Sequence, residues 1–119
     1  MALSRIWRLR SNTDFQRVRQ QGQSISSRLL ILAWNPNQAA QLRIGFVVSK
    51  RISKRAVQRN YIKRLLSEAV RDALPALPAS TDIVFTARAQ IATTDLHMLK
   101  HDMLSLLQRA KLLAPAGNI

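Results

Sequence analysis

Eight cations crowd one stretch of the chain, Ser49 to Arg71: Lys50, Arg51, Lys54, Arg55, Arg59, Lys63, Arg64 and Arg71. Side chains of this type at this density bind anions. Arg presents a planar fork of donors that matches phosphate oxygens and can also stack on a base. Asn60 adds a neutral donor and acceptor inside the same run. The six acids, by contrast, are scattered singly. Metal-dependent hydrolysis of a phosphodiester needs clustered carboxylates, so no catalytic residue and no metal site are expected in the protein. Neither a Ser-His-Asp arrangement nor a Gly-rich phosphate loop is present, Gly totalling three and Cys none. His97 and His101 stand at a spacing that suits a metal on a helix. No third ligand accompanies them, and they read as solvated side chains on a polar face.

The cations need elements to aim them. Ala56 to Leu74 reads as a helix, with Ile62, Leu65, Leu66, Ala69 and Ala73 recurring at three- and four-residue steps to form one apolar stripe. On that wheel Arg59 and Lys63 flank the stripe, while Asn60, Arg64 and Arg71 face away from it. Pro75 and Pro78 end the helix. Lys50 to Arg55 reads as a basic loop that brings four more charges to the helix start, where free N–H groups already favour anions. Glu68 and Asp72 read as local ion-pair partners.

Upstream, Asn12 to Gln21 is expected to be a short helix capped by Ser11 or Asn12, with Asp14 in its first turn, Phe15 and Val18 on one face and Gly22 at its end. Arg28 to Trp34 reads as a strand through Leu29 to Leu32, broken by Asn35-Pro36-Asn37. Leu42 to Ser49 reads as a second strand, and the two are expected to pair as an antiparallel hairpin. Downstream, Asp82 to Arg88 is a strand through Ile83, Val84 and Phe85. Thr94 is expected to cap a last helix reaching about Lys111, with Leu96, Leu99, Met103, Leu106, Leu107 and Ala110 inward. Phe46 and Phe85 read as core, and Met98 and Met103 as packing residues. The pattern is α+β, with a βαβ-like unit over residues 42–88, for which the general rule expects a right-handed crossover if the strands are parallel.

The whole composition agrees with an anionic partner. The chain has 119 residues, 47% of them hydrophobic, which suits one domain with a small core. That domain is expected to span 1–119, with its folded core at about 9–112 and a loose tail at 113–119. Nineteen Lys and Arg against six acids give a formal net charge of +13. From Phe15 to Ser67 no acid occurs, while eleven Lys and Arg do, and fourteen of the nineteen cations are Arg. Self-repulsion on that scale raises the free energy of the compact state, and a polyanion offsets it. An ordinary solvated surface mixes both signs. The lack of Cys fits a reducing, cytoplasmic location. No apolar run approaches the ~20 residues that cross a bilayer, and Met1 to Ser11 is too interrupted by Arg5, Arg8 and Arg10 for a secretory signal. No membrane partner is expected.

The run AVQRNYIKRLLSEAVR resembles the signature helix of the bacterial ribonuclease P protein, whose hallmark is Arg-Asn-Arg followed by a Lys-Arg pair. Arg59 and Asn60 match it, as do Lys63 and Arg64. Tyr61 departs, leaving an aromatic that either stacks on a base or packs on the sheet. Leu9-Arg10 with Asp14-Phe15, Gly22 with Ser24, Arg43 through Lys50, and Asp82-Ile83-Val84 with Ala87-Arg88 are similar to the family's other segments in order.

The resemblance implies a compact α/β sandwich of the ribosomal protein S5 domain 2-like type, with a left-handed βαβ crossover that departs from the general rule. It implies an endoribonuclease whose catalytic centre and Mg²⁺ ions lie in a partner RNA, with no metal or small-molecule cofactor held by the protein alone. The partners would be ribonuclease P RNA and the 5′ leader of precursor tRNA. Lys50, Arg51, Lys54, Arg55, Arg59, Asn60, Lys63, Arg64 and Arg71 would hold the RNA. A cleft beside the N-terminal helix would receive the leader, with Phe15, Arg17, Arg19 and Trp34 as its candidate residues. Phe15 matches a cleft aromatic of the family. Arg19 stands where some relatives have an aromatic, and Trp34 stands one step past a position that is Ala33 here. Other readings of the same residues are a ribosomal-protein-like RNA clamp, or a DNA-binding protein with the basic helix in a major groove. Strand and loop directly before that helix oppose the second.

Overall fold

The computed structural model describes Leu9 and residues 12–113. The expected Ser11 cap, the reading of the first residues, and residues 114–119 of the expected tail lie outside these. Seven regular elements follow in order: α1 (Asn12–Gln21), β1 (Gln23–Ser26), β2 (Leu30–Pro36), β3 (Arg43–Val47), α2 (Ala56–Arg71), β4 (Thr81–Ala87) and α3 (Leu96–Arg109). The four strands make one mixed sheet in the order β1-β2-β4-β3. The fold is the expected α+β class.

The strand order corrects the sequence-based expectation in two places. β2 and β3 do not form a hairpin, because β4 inserts between them, antiparallel to β2 and parallel to β3. The hairpin partner of β2 is instead β1, a short polar strand that no hydrophobic pattern announces. Their turn closes through Ser27, whose amide donates to the Leu30 carbonyl at 2.8 Å and whose Oγ accepts from the Leu30 amide at 3.1 Å. β2 also runs on through Asn35 to Pro36, which lies opposite Thr81. Pro is tolerated at a strand end because the missing N–H breaks no central ladder bond. The parallel β3–β4 pairing that the βαβ reading requires is present.

Strand alternation sends side chains to two unequal faces. On one, Leu30, Leu32, Ile44, Ile83 and Phe85 meet Ile62, Leu66, Ala69 and Val70 of α2 and Leu99, Met103, Leu106 and Leu107 of α3, all buried. Phe46 stacks on Phe85 with ring centroids 6.1 Å apart, a packing role for both. The other face holds a smaller cluster, Leu9, Val18, Ala33 and Val84, with Phe15 and Val47 against it. α1 lies across this second face, touching β2 and β4. Leu9 adds an edge contact to β3, its amide donating to the Ile44 carbonyl at 2.9 Å.

Helix ends follow local chemistry. α2 stops at Arg71, before the expected Leu74, and Pro75 sits in a separate 3-10 turn, Leu74–Ala76. α3 is capped by Asp95, not Thr94: the Asp95 carboxylate accepts from the Met98 amide at 2.8 Å. Thr94 points inward with its hydroxyl buried and unpartnered among the described residues. None of the described helices is long and apolar enough to cross a membrane.

Two glycines permit the close approach of α1. A Cβ on Gly22 would stand 2.3 Å from the Trp34 carbonyl oxygen, so the turn into β1 can pass β2 only without one. A Cβ on Gly45 would stand 2.3 Å from the edge of the Phe15 ring. Gly45→Ala is therefore expected to destabilise the protein by about 1–3 kcal/mol through overpacking. That cost should shrink in a Phe15→Ala background, as read by urea denaturation of the two single variants and the double variant. Additive losses would show that the ring does not rest on Gly45.

Candidate nucleic-acid interface

β3 ends at Val47, and the chain turns at once: the Ile52 amide donates to the Ser49 carbonyl at 3.0 Å. Ile52 packs against the main core and so anchors the loop from within. Ser53 then receives two bonds. Its Oγ accepts from the Arg55 amide at 3.2 Å, and its carbonyl accepts from Arg59 Nη1 at 3.0 Å. Arg59 is half-buried and ties the loop to the first turn of α2, a structural task added to its expected role as an anion ligand. Lys50, Arg51, Lys54, Arg55, Asn60, Lys63, Arg64 and Arg71 are all exposed. The loop and the outward face of one helix thus carry the whole predicted set.

Burial on α2 follows the predicted stripe: Ile62, Leu66, Ala69 and Val70 are buried within the helix and Ala73 just after it, with Leu65 half-buried. Tyr61 is half exposed at 50% and belongs to neither core cluster. The helix N-terminus has no acid in its first turn and no side-chain cap from Arg55. A helix dipole favours anions there, yet this chain supplies cations. Apart from the Ser53 Oγ that accepts from the Arg55 amide, no side-chain cap satisfies that end among the described residues, and an external anion would suit it.

The carboxylates are committed elsewhere. Asp14 pairs with Arg17 at 2.9 Å and reaches Arg43 at 3.5 Å. Asp82, 1% exposed, takes Arg43 Nε at 2.8 Å and Nη2 at 2.9 Å. The Asp82 hydrogen bond is the leading reason the Arg43 pKa is raised. Asp95 caps α3, and Asp102 accepts from the Ser27 hydroxyl. Glu68 pairs with Arg71 at 2.8 Å, the local ion pair expected of it, while Asp72 reaches Lys100 of α3 at 3.7 Å and not a neighbour on its own helix. Arg71 and Arg17 are therefore partly neutralised within the protein. Among the described residues, no carboxylate is in ion-pair contact with Lys50, Arg51, Lys54, Arg55, Arg59, Lys63 or Arg64.

The second candidate surface is the sheet face under α1. Phe15 is half-buried over Gly45, and Arg17 and Arg19 are exposed on the same helix. Beyond α1 the face shows Ile31, 37% exposed, with Val47 and Thr86 half-exposed. Trp34 is not part of it. Trp34 lies opposite Ile83 and packs into the α2/α3 core, because its parity matches Leu30 and Leu32. Ala33 has the cleft parity. Ile31, two residues before it, belongs to the cleft face as well, although the sequence shows it only as part of an apolar run. His97 and His101 are exposed and line an open cavity of about 570 Å³ with Arg28, Leu29, Met98 and Asp102. No group of three metal-ligating residues occurs among the described residues.

The fold and this surface define a small α+β protein with a cation-rich edge built on a loop and one crossover helix. The sequence model of the Ribonuclease P family matches residues 3–111. The ribonuclease P protein component of Chloroflexus aurantiacus is 43% identical over 117 residues, covering 98% of this chain and 86% of that protein. That of Caldanaerobacter subterraneus is 36% identical over 108 residues, covering 91% and 92%. Among solved structures, the Staphylococcus aureus RNase P protein superposes with a TM-score of 0.82 at 28% identity, covering 90% of this chain and 97% of that one. The Thermotoga maritima RNase P protein gives 0.76 at 27% identity, covering 86% and 96%. The chain belongs to the ribonuclease P protein family.

The Arg59–Ser53 bond yields a test that needs no partner. Arg59→Met keeps the aliphatic stem and removes the donor. Global stability should fall by only about 1 kcal/mol, while amide exchange over the 50–55 loop rises well above that of β3. Loop exchange equal to wild type would show that Arg59 is not its tether.

Proposed function

We propose that this chain is the protein component of ribonuclease P. It docks on ribonuclease P RNA through the 50–55 loop and α2, and promotes removal of the 5′ leader from precursor tRNA. The observation that carries this reading is the commitment of the carboxylates to partners within the fold, which leaves seven cations of one loop and one helix without an ion-pair partner among the described residues. Arg forks and the uncapped helix start suit phosphate oxygens held in a fixed array.

The sheet face under α1 takes the second role. A single strand is gripped by apolar or aromatic platforms with cations alongside. The Phe15 ring and exposed Ile31 form such a platform, and Arg17 and Arg19 supply charge. The 5′ leader, being single-stranded, fits this surface better than a duplex does.

Bond breaking is assigned to the RNA partner, which would hold the Mg²⁺ that activates water. The described residues form no carboxylate cluster for that ion, so the protein acts by positioning and by neutralising charge between two RNA molecules. A bacterial cytoplasm is the setting such an assembly needs.

Reconstitution tests the assembly. Added to ribonuclease P RNA at low Mg²⁺, the protein should raise the rate of precursor cleavage. Lys63→Ala with Arg64→Ala should weaken RNA binding and lower the slope of log K against log salt by about 0.7–0.9 for every phosphate left without its cation. An unchanged slope would remove α2 from the interface. The leader surface has its own readout: Ile31→Glu, at an exposed position, should weaken binding of precursor tRNA to the holoenzyme and leave mature tRNA affinity as it was. Equal losses for both would place the leader elsewhere.

A further inference from the structure

The outward face of α2 carries two side chains that the fold does not use. Val57 is 77% exposed and Tyr61 50% exposed, and neither belongs to a core cluster. Four residues apart on a helix, they lie side by side. Asn60 and Arg64 share that face, and both are exposed. The first carboxylate along the helix is Glu68, two turns beyond Tyr61, where it pairs with Arg71. A patch of ring and methyl groups thus sits inside the cationic surface, at the position where the family signature carries a cation.

Val57 gains little from folding, and half of the Tyr61 surface remains in water. Their apolar groups also cannot bind phosphate. An aromatic ring flanked by donors and cations does suit one part of a nucleic acid, the face of a base. Tyr loses little conformational freedom when it stacks, having two side-chain torsions. In a duplex the base faces are occupied by their neighbours, so the ring can be used only by a nucleotide that is unpaired or bulged.

We propose that Tyr61, flanked by Val57, is a stacking platform for an unpaired base of the RNA that docks on α2. This inference rests on the RNA-docking function given above and adds to it: one contact at the centre of the interface is to a base face, not to a phosphate. Such a contact is nearly independent of salt, because no counterion is released when it forms.

Titrations of full-length protein with ribonuclease P RNA over a range of salt separate the two kinds of contact. Tyr61→Phe keeps the ring and should bind within about twofold of wild type. Tyr61→Ala should lose about tenfold in affinity with the wild-type salt slope, base–aromatic stacking being of that size. Arg64→Ala should lower the slope. The exposure of Tyr61 means both Tyr61 variants should unfold at the wild-type urea midpoint, which is measured alongside. Wild-type affinity for Tyr61→Ala would overturn the platform while leaving RNA docking intact, as would a loss accompanied by a lower slope, or an equal loss for Tyr61→Phe. A protein partner on this patch would show as a Tyr61→Ala variant with unchanged RNA affinity, and counts against the proposal. Failure of the wild-type protein to bind the RNA would instead remove the docking function on which it rests.

Discussion

The Arg43–Asp82 pair is the contact on which the rest of the molecule hangs. Asp82 is almost wholly buried and accepts two bonds from the Arg43 guanidinium and a third, at 2.7 Å, from Asn37 Nδ2. A buried carboxylate is tolerated only when its oxygens are satisfied, and here the satisfaction comes from separate segments. Arg43 and Asp82 are register partners, so the pair sets the parallel alignment of β3 on β4. Asn37 also donates to the Gln41 carbonyl at 3.1 Å and so closes the loop between β2 and β3. Asp14, reaching Arg43 from α1, brings the helix down on the sheet. Order at this one end of the sheet is what gives Phe15 its place over Gly45.

The same pair helps to explain why the charge excess survives on one side. Arg43 begins β3, and the basic loop follows the other end of that strand. Four residues of strand separate the ends by roughly 13 Å, more than a Debye length of about 8 Å at physiological salt. Asp14 and Asp82 therefore screen the loop very little. Asp95 and Asp102 are held at α3 and at the turn between β1 and β2, and Glu68 and Asp72 at the far end of α2. Each acid has its partner within the fold where it stands. In the proposed function an RNA relieves the mutual repulsion of Lys50 to Arg64, which couples association to the removal of an internal cost.

Much of this is legible in the residues, and the parts that are not have physical reasons. The basic helix can be placed because its apolar stripe repeats at the helical period, and α3 for the same reason. The pairing of strands does not follow from their order. Ile83, Val84 and Phe85 are all buried, and an apolar run on both faces is the mark of a central strand; that signal outweighs the simpler hairpin between chain neighbours. β1, with only Ile25 half-buried, gives no periodic signal at all. Trp34 eludes a sequence-based placement for a related reason. The apolar run at Leu29 to Leu32 conceals which parity faces which way, and only pairing with β4 sends Ile31 and Ala33 toward α1 and Leu32 and Trp34 away. The second use of Arg59, as a loop tether, depends on a carbonyl six residues back and leaves no trace in composition.

One five-residue strand joins the two surfaces. Along β3, Arg43 holds the polar latch, Ile44 enters the main core, Gly45 admits the Phe15 ring, Phe46 stacks on Phe85, and Val47 faces the α1 side of the sheet just before the basic loop begins. Residues of one parity serve α1 and those of the other serve α2 and α3. A shift of register by one residue would exchange the two sets, putting Phe46 against α1 and Gly45 into the core, so neither surface could survive alone. The strand is packed on both faces, and packed interiors deform little. The spacing between α2 and the sheet face under α1 is therefore a property of the fold itself. The proposed function, neutralising charge on one RNA while aligning another, needs that spacing constant, and β3 supplies it.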